Sequence, residues 1–565
     1  MADVTPKRII VLIIVFGIGF LIAVMRLFDL QVLHYDFYRE KVEGQRQRIV
    51  ILASPRGDIC DRNGELLATT VDSYSFFAIP KEVTSAEAVV RVLQKALNLN
   101  AAELSAKLHG RRTFVWLKRK VDKAVAEPIL AKGFKGIYAL EEKKRIYPRG
   151  RLASTVLGFV GVDNQGLAGV ELSCDKYLRG QEGKLLTEQD PRGHEIVAAS
   201  KQVLAQPAEG MNLKLTIDSN IQYFAEKELS ATVKQYSAKS GTIIVMDPNT
   251  GEILAMATKP DFDPQFYFKS PNYTWKSGAV TTVYEPGSTF KVITVASGLQ
   301  TGAVNPDTRL KFLSSITVGG KVIKNSHTIT KFGSTISISE MLQESINTGA
   351  VQIGLKMGPQ RFYDQIVKFG FGDFTRIQLP GEECGILRHF TNWYKPDIAM
   401  ITFGQSIAVT PIQMVAAYSV VANGGKWMRP SIVSEIKSLD GKFLKAYYPE
   451  VVSQPISEKV SQQVISMLED VVLHGSARRA RLNNYRVAAK TGTAQKPIPG
   501  GLGYLKGSFY ASMLGFAPAS KPKLLVMVLV DEPKGSIWGE SVAGPVVGKV
   551  LEKSLRYLNV APDII

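Results

Sequence analysis

Between Ile9 and Met25 lie 17 consecutive residues with no charged or strongly polar side chain. No other feature limits this chain so sharply, because a segment this apolar has to leave water. As a helix it spans about 25 Å at about 1.5 Å per residue, slightly short of a bilayer's hydrocarbon core. Leu27, Phe28, Leu30, Val32 and Leu33 lengthen it if the Arg26 guanidinium snorkels to the interface. A cleaved signal peptide is the competing reading, but its apolar region is normally about 7–15 residues and ends in a small-x-small site. Val24-Met25-Arg26 is not such a site. Lys7 and Arg8 precede the run, and the positive-inside rule then holds the N-terminus in the cytoplasm. The expectation is a cytoplasmic tail over 1–8, a single transmembrane anchor over 9–28, and roughly 530 residues beyond the membrane.

So many residues exceed one hydrophobic core, and more than one domain is expected in the 565-residue chain. The net charge of +18 would suit nucleic acid, an anionic membrane surface or an acidic polymer, and also a basic surface spread over a large protein. No basic run interleaved with aromatics and no zinc spacing supports nucleic acid. Three separated cysteines (Cys60, Cys174, Cys384) and six scattered histidines offer neither a disulfide framework nor a metal motif. No metal or cofactor is expected.

Residues 29–211 mix short β-like runs, such as Arg48–Ala53 and Ser73–Ala78, with a helical pattern from Ser85 to Lys107. The character changes near Asn212. Asn212–Ile217 alternates as a strand, and Asp218 or Ser219 can cap a helix running to Leu229. Gly241–Met246 and Glu252–Ala257 flank a turn, Asp247-Pro-Asn-Thr-Gly251, and read as a β-hairpin. Lys523–Val530 reads as a buried strand and Pro545–Leu558 as a closing helix, with mostly helical patterns between hairpin and strand. The fold class expected is α+β and multidomain, with no catalytic constellation over 29–211 and a sheet covered by helices over 212–565.

Ser-x-x-Lys occurs at Ser173/Lys176, Ser288/Lys291, Ser434/Lys437 and Ser520/Lys523, so the spacing alone decides nothing. Pro286-Gly287 ahead of Ser288, with an apolar run after Lys291, places the second copy at a helix start. Residues i and i+3 share a helix face, which puts the lysine within reach of the hydroxyl. A serine is a poor nucleophile until a base takes its proton, and an amine serves only if burial or nearby positive charge lowers its pKa. Ser345-Ile-Asn347 follows 57 residues after Ser288, and Lys490-Thr-Gly-Thr493 another 145 after that. Val487-Ala-Ala before Lys490 reads as a small-residue strand whose Gly492 permits close backbone approach. A second S-x-N at Ser270 and a second K-S-G at Lys276 both precede Ser288, so they cannot complete the same order.

That ordered trio resembles the penicillin-recognising serine acyl-enzymes. The surrounding residues resemble one branch, the class B penicillin-binding proteins, over almost the whole chain. Pro55–Gly64, Tyr147-Pro148, Leu157–Gly161 and Gly166–Glu171 are similar to elements of that family's non-catalytic region. Asp247–Ala255 and Gly404–Gln413 are similar to elements of its catalytic region. The resemblance implies that Ser288 attacks the penultimate D-Ala carbonyl of a D-Ala-D-Ala stem peptide and Lys291 takes its proton. It implies that Ser345 passes a proton to the leaving D-Ala and that Asn347 orients the donor amide and Lys291. Lys490, Thr491 and Thr493 would hold the terminal carboxylate on the Gly492 strand, and the Ser288 and Thr493 N–H groups would form the oxyanion hole. An amine from a neighbouring stem would resolve the acyl-enzyme, and β-lactams would acylate Ser288.

Glu285, Phe403-Gly-Gln405 and the absence of C-terminal repeat modules look most like the septal, FtsI-type branch. That likeness implies a bacterial cytoplasmic-membrane protein at the division septum, its catalytic domain extracytoplasmic. Its partners would be an FtsW-like SEDS glycosyltransferase and other divisome proteins. Elongation- and sporulation-specific transpeptidases, a D,D-carboxypeptidase or β-lactamase, and an inactive membrane-anchored scaffold are the alternatives. Ser406 departs from relatives, which often have glycine there.

Overall fold

The computed structural model describes residues 6–52, 54–110, 112–188, 202–438, 440–501 and 503–564. Two compact groups divide them, residues 1–54 with 180–209, and residues 55–179 with 210–565.

In the first group the apolar run forms the helix Pro6–Phe28, which continues as a π-helical turn to Leu33. Its 23 residues span about 34 Å, enough for a hydrocarbon core, and none of them is buried. The Arg26 guanidinium pairs with Asp29 at 2.5 Å, one turn on. A helix Tyr35–Arg46 follows, and strands Gln47–Leu52, Gly183–Glu188 and Gln202–Ala205 form a small antiparallel sheet in that order. The strand expected from Arg48 to Ala53 is therefore present to Leu52, and Ala53 lies outside the described residues.

The second group holds two large sheets. In one, strand Leu66–Ala78 pairs with Val115–Asp122 and Ile137–Ile146. Its other end joins Ile59–Cys60, then Asn212–Leu215, Val433–Lys437 and Phe443–Ala446. The alternating strand expected from Asn212 to Ile217 is present as Asn212–Leu215 and lies in this sheet, between Ile59–Cys60 and Val433–Lys437. Two helices, Ala86–Leu97 and Ala101–Leu108, replace the single one expected from Ser85 to Lys107. Asn98 turns left-handed at φ +50° and ends the first, and the Asn100 side chain caps the second.

The catalytic sheet is fully antiparallel, in the order Ile253–Lys259, Ser240–Met246, Leu524–Asp531, Tyr504–Ala517, Ala488–Pro497. Every residue of Leu524–Asp531 is buried, because helices cover both faces. Ser219–Gln235 and Gly544–Tyr557 pack together on one side and Pro411–Ala422 on the other. Asp218 caps the first of these helices, which runs past the expected end at Leu229 to Gln235. In Pro411–Ala422 all twelve residues are buried, and Thr410 and Gln413 close its start as a reciprocal capping box. That box gives the Gly404–Gln413 element its physical meaning.

The pedestal elements resembling the family are also explained by contacts. Asp61 accepts from the Ser219 N–H at 3.0 Å, and Asn63 donates to Asp218 at 3.0 Å, locking the start of the helix Ser219–Gln235. Glu171, fully buried, pairs with Arg56 at 2.5 Å and Arg145 at 2.7 Å. All three side chains come from the segments quoted above or stand beside them.

Candidate active site

Ser288 sits in a single 3-10 turn, Gly287–Phe290, immediately ahead of the helix Lys291–Gln300. The lysine is therefore the first residue of the α-helix and the serine lies just outside it, a small shift from the helix start expected. Gly287 adopts φ +60° and its N–H donates to Gly404 O at 3.1 Å. A side chain at Gly404 would place Cβ 2.3 Å from Gly287 O, so only glycine lets this second turn back Ser288.

Lys291 is fully buried and its Nζ is the centre of the site. It lies 3.1 Å from Ser288 Oγ, 2.7 Å from Asn347 Oδ1 and 3.2 Å from Ser345 Oγ, and it also donates to Ser345 O. A protonated amine has three N–H groups for these four oxygens. A neutral amine has two, and donates to Asn347 Oδ1 and Ser345 O while its lone pair accepts from the Ser288 hydroxyl. Burial holds Lys291 well below its ordinary value, and the charge of Lys490 lowers it further. An uncharged amine at this position can take the Ser288 proton.

Ser345 and Asn347 join the helices Ile338–Gln343 and Asn347–Met357. Ser345 is held left-handed at φ +55°, which ends the first helix and aims its hydroxyl at both lysines. The Asn347 amide donates to Lys324 O at 2.9 Å, fixing which end faces Lys291. Lys490, also fully buried, donates to Ser345 Oγ at 3.0 Å and to Thr491 O at 3.3 Å. Burial pulls it down to about 7 against the opposing carboxylate of Glu344.

Lys490–Thr493 lie on the edge strand Ala488–Pro497, which packs along the turn Gly287–Phe290. A Cβ on Gly492 would stand 2.5 Å from Ser512 Oγ and 3.0 Å from Thr289 Cγ2, so glycine is what brings the strand this close. Thr493 Oγ1 accepts from the Gly539 N–H at 3.1 Å, and Thr491 Oγ1 is 3.0 Å from Ser476 Oγ. Ser288, Ser345, Asn347, Thr491 and Thr493 open on one cleft of about 850 Å³. All eight residues expected at the site are thus in one place. The other serines are engaged elsewhere: Ser173 donates to Gln378 O, Ser434 to Lys214 O and Ser520 to Asp563.

Three features escaped the motifs. Glu285 accepts from the Ser406 N–H and the Tyr504 hydroxyl, each at 3.0 Å, tying the Ser288 turn to two distant segments. Ser406 has φ +58°, the left-handed conformation that glycine favours. Ser476 enters from the loop after Glu458–Leu473. No spacing rule signals partners so far apart in the chain.

Residues 241–552 match the Penicillin binding protein transpeptidase domain, and residues 51–215 the Penicillin-binding Protein dimerisation domain. The chain is 35% identical over 575 residues to stage V sporulation protein D of Bacillus subtilis (strain 168), covering 100% of this chain and 88% of that protein. It is 32% identical over 560 residues to the peptidoglycan D,D-transpeptidase FtsI of Escherichia coli (strain K12), covering 97% and 91%. Among solved structures it is similar to a peptidoglycan synthetase from Bifidobacterium adolescentis ATCC 15703, with TM-score 0.74 and 29% identity over 92% of this chain and 98% of that one.

Proposed function

The chain belongs to the class B penicillin-binding proteins and is a peptidoglycan D,D-transpeptidase, and we propose that it cross-links the wall at the division septum with Ser288 as its nucleophile. The observation that carries the assignment of residues is Lys291 Nζ, 3.1 Å from Ser288 Oγ and held by Asn347 Oδ1 at 2.7 Å. Neutral Lys291 takes the hydroxyl proton as Ser288 Oγ attacks the penultimate D-Ala carbonyl of the donor. The Ser288 and Thr493 N–H groups receive the oxyanion, a contribution of roughly 3–4 kcal/mol per donor in related chemistry. Ser345, between the two lysines, passes a proton to the leaving D-Ala nitrogen. Lys490, Thr491 and Thr493 hold the terminal carboxylate while the Gly492 strand pairs with the extended peptide. Asn347 orients the donor amide. An amine of a second stem peptide then attacks the ester carbonyl, forms the cross-link and returns the proton to Ser288. One amide replaces another, so no ATP is consumed. β-Lactams acylate the same serine.

In this reading residues 1–8 are cytoplasmic, 9–28 anchor the protein, 29–211 form the pedestal and 212–565 the extracytoplasmic transpeptidase domain. The septal role rests on Glu285, Phe403–Gln405 and the FtsI relatives, and its expected membrane partner is an FtsW-like SEDS glycosyltransferase. A sporulation role is the second reading, favoured by 35% identity over the full chain to stage V sporulation protein D. Depletion of the protein in its native host, with a fluorescent fusion, tests the two. Mid-cell label and filamentation support the septal role. Normal division with label on the forespore replaces it with the sporulation role, and lateral-wall label would contradict both.

A further inference from the structure

The loop after the helix Glu458–Leu473 reaches the cleft from a side that the three motifs do not describe. Ser476 N–H donates to Gln343 O at 3.1 Å, and Ala477 N–H donates to Val471 O at 3.2 Å. These bonds pin the loop to the segment just ahead of Ser345 and to its own helix end. The Ser476 hydroxyl is thereby held 3.0 Å from Thr491 Oγ1, and both side chains line the cleft. Arg478 lines it too. Its Nε donates to Gly475 O at 3.1 Å, while its two Nη nitrogens have no partner among the described residues. The acidic side chains on the lining are Glu344 and Glu540, and Glu344 is paired with Lys331 at 2.6 Å.

We infer that Ser476 and Arg478 are the second half of the carboxylate clamp, meeting the terminal carboxylate of the donor peptide, or of a penicillin, beside Thr491 and Thr493. The inference rests on the transpeptidase reading. A carboxylate offers about four acceptor positions, more than two threonine hydroxyls fill. In the Thr491–Ser476 pair one hydroxyl donates to the other, which leaves one O–H of the pair for a ligand. Charge is short as well. Lys291 has to be neutral to act as a base, and Lys490, pulled to about 7, is charged in only part of the population at neutral pH. A guanidinium keeps its charge throughout and presents a fork suited to carboxylates.

The test uses the full-length protein in detergent and compares acylation by benzylpenicillin with acylation by its methyl ester, which lacks the carboxylate. Ser476→Ala and Arg478→Gln are each expected to slow benzylpenicillin about tenfold and to leave the ester unchanged. Ser476→Thr, which keeps the hydroxyl, is expected to retain the wild-type rate. Equal losses with both ligands would make the loop merely structural and overturn the inference, and so would the absence of any loss. A wild-type protein that takes neither ligand would instead overturn the transpeptidase reading, and the clamp with it.

Discussion

Lys490 Nζ lies 3.0 Å from Ser345 Oγ, so the second motif's hydroxyl is bonded to the third motif's lysine. Lys291 stands 3.2 Å from the same oxygen, which makes Ser345 the one side chain among the described residues that hydrogen-bonds both buried amines. Ser345→Ala removes that link without removing either base or nucleophile. Acylation by a penicillin is expected to fall by roughly 10²-fold or more, the scale of one general acid–base contribution. Rapid-quench measurement of the acylation rate checks this, and a loss under threefold would show that Ser345 carries no proton.

The roles proposed for the two lysines set the pH profile in opposite senses. As the proposed base Lys291 would work uncharged, and its lowered value means the acylation rate is expected to climb as pH rises through an acid limb. As the proposed carboxylate ligand Lys490 would bind while charged, so the rate is expected to fall again as pH passes about 7. The alkaline limb is expected to disappear in Lys490→Arg, whose charge persists, while the acid limb stays. A profile with the same alkaline limb in that variant would assign it to another group.

Fully buried Lys490 also costs stability. Its folded value lies below the unfolded one, so the unfolded chain binds more protons and stability rises with pH between about 7 and 10.5. Lys490→Met is therefore expected to stabilise the protein at pH 6 by on the order of 1–4 kcal/mol, with a smaller gain at pH 9. Acylation should be lost at the same time. Thermal unfolding at the two pH values checks the sign, and a destabilised variant at pH 6 would refute it.

Glu171 presents the reverse case. Its carboxylate is wholly buried between Arg56 and Arg145, and Glu171→Gln leaves two guanidiniums with one charge partner fewer. A loss of about 3–5 kcal/mol is expected on denaturant unfolding, and because none of the three lines the cleft the acylation rate is expected to be preserved in the folded fraction.

Ser406 carries its left-handed turn at a cost that glycine avoids. Ser406→Gly retains the N–H bonded to Glu285 and is expected to stabilise the turn by up to about 1 kcal/mol. Ser406→Val, β-branched, is expected to destabilise it and slow acylation by disturbing Gly404 and the nucleophile turn.

The trio was legible because each motif is contiguous and its order along the chain is restrictive. Ser288 and Lys291 share one turn, and the small residues before Lys490 announce a strand that packs closely. What could not be read are the relations closed by distant backbone. Ser476 meets Thr491 only after a 16-residue helix delivers its loop, and Glu285 meets Tyr504 across 219 positions. The break at Asn98 was hidden because apolar spacing continues across it, and a left-handed residue leaves no period in the pattern. The strand at Asn212 had the right alternation, but alternation does not say which sheet it joins. Pairing with Ile59–Cys60 is a tertiary choice.

Intact mass of the full-length protein before and after benzylpenicillin, beside Ser288→Ala, reads out whether Ser288 forms the acyl-enzyme. A gain of one drug mass is expected, persisting after excess ligand is removed and absent from Ser288→Ala. An adduct that survives in Ser288→Ala would place the nucleophile elsewhere. Rapid return to the free mass with drug turnover would mark a β-lactamase, and no adduct on the wild type would contradict acyl-enzyme chemistry altogether.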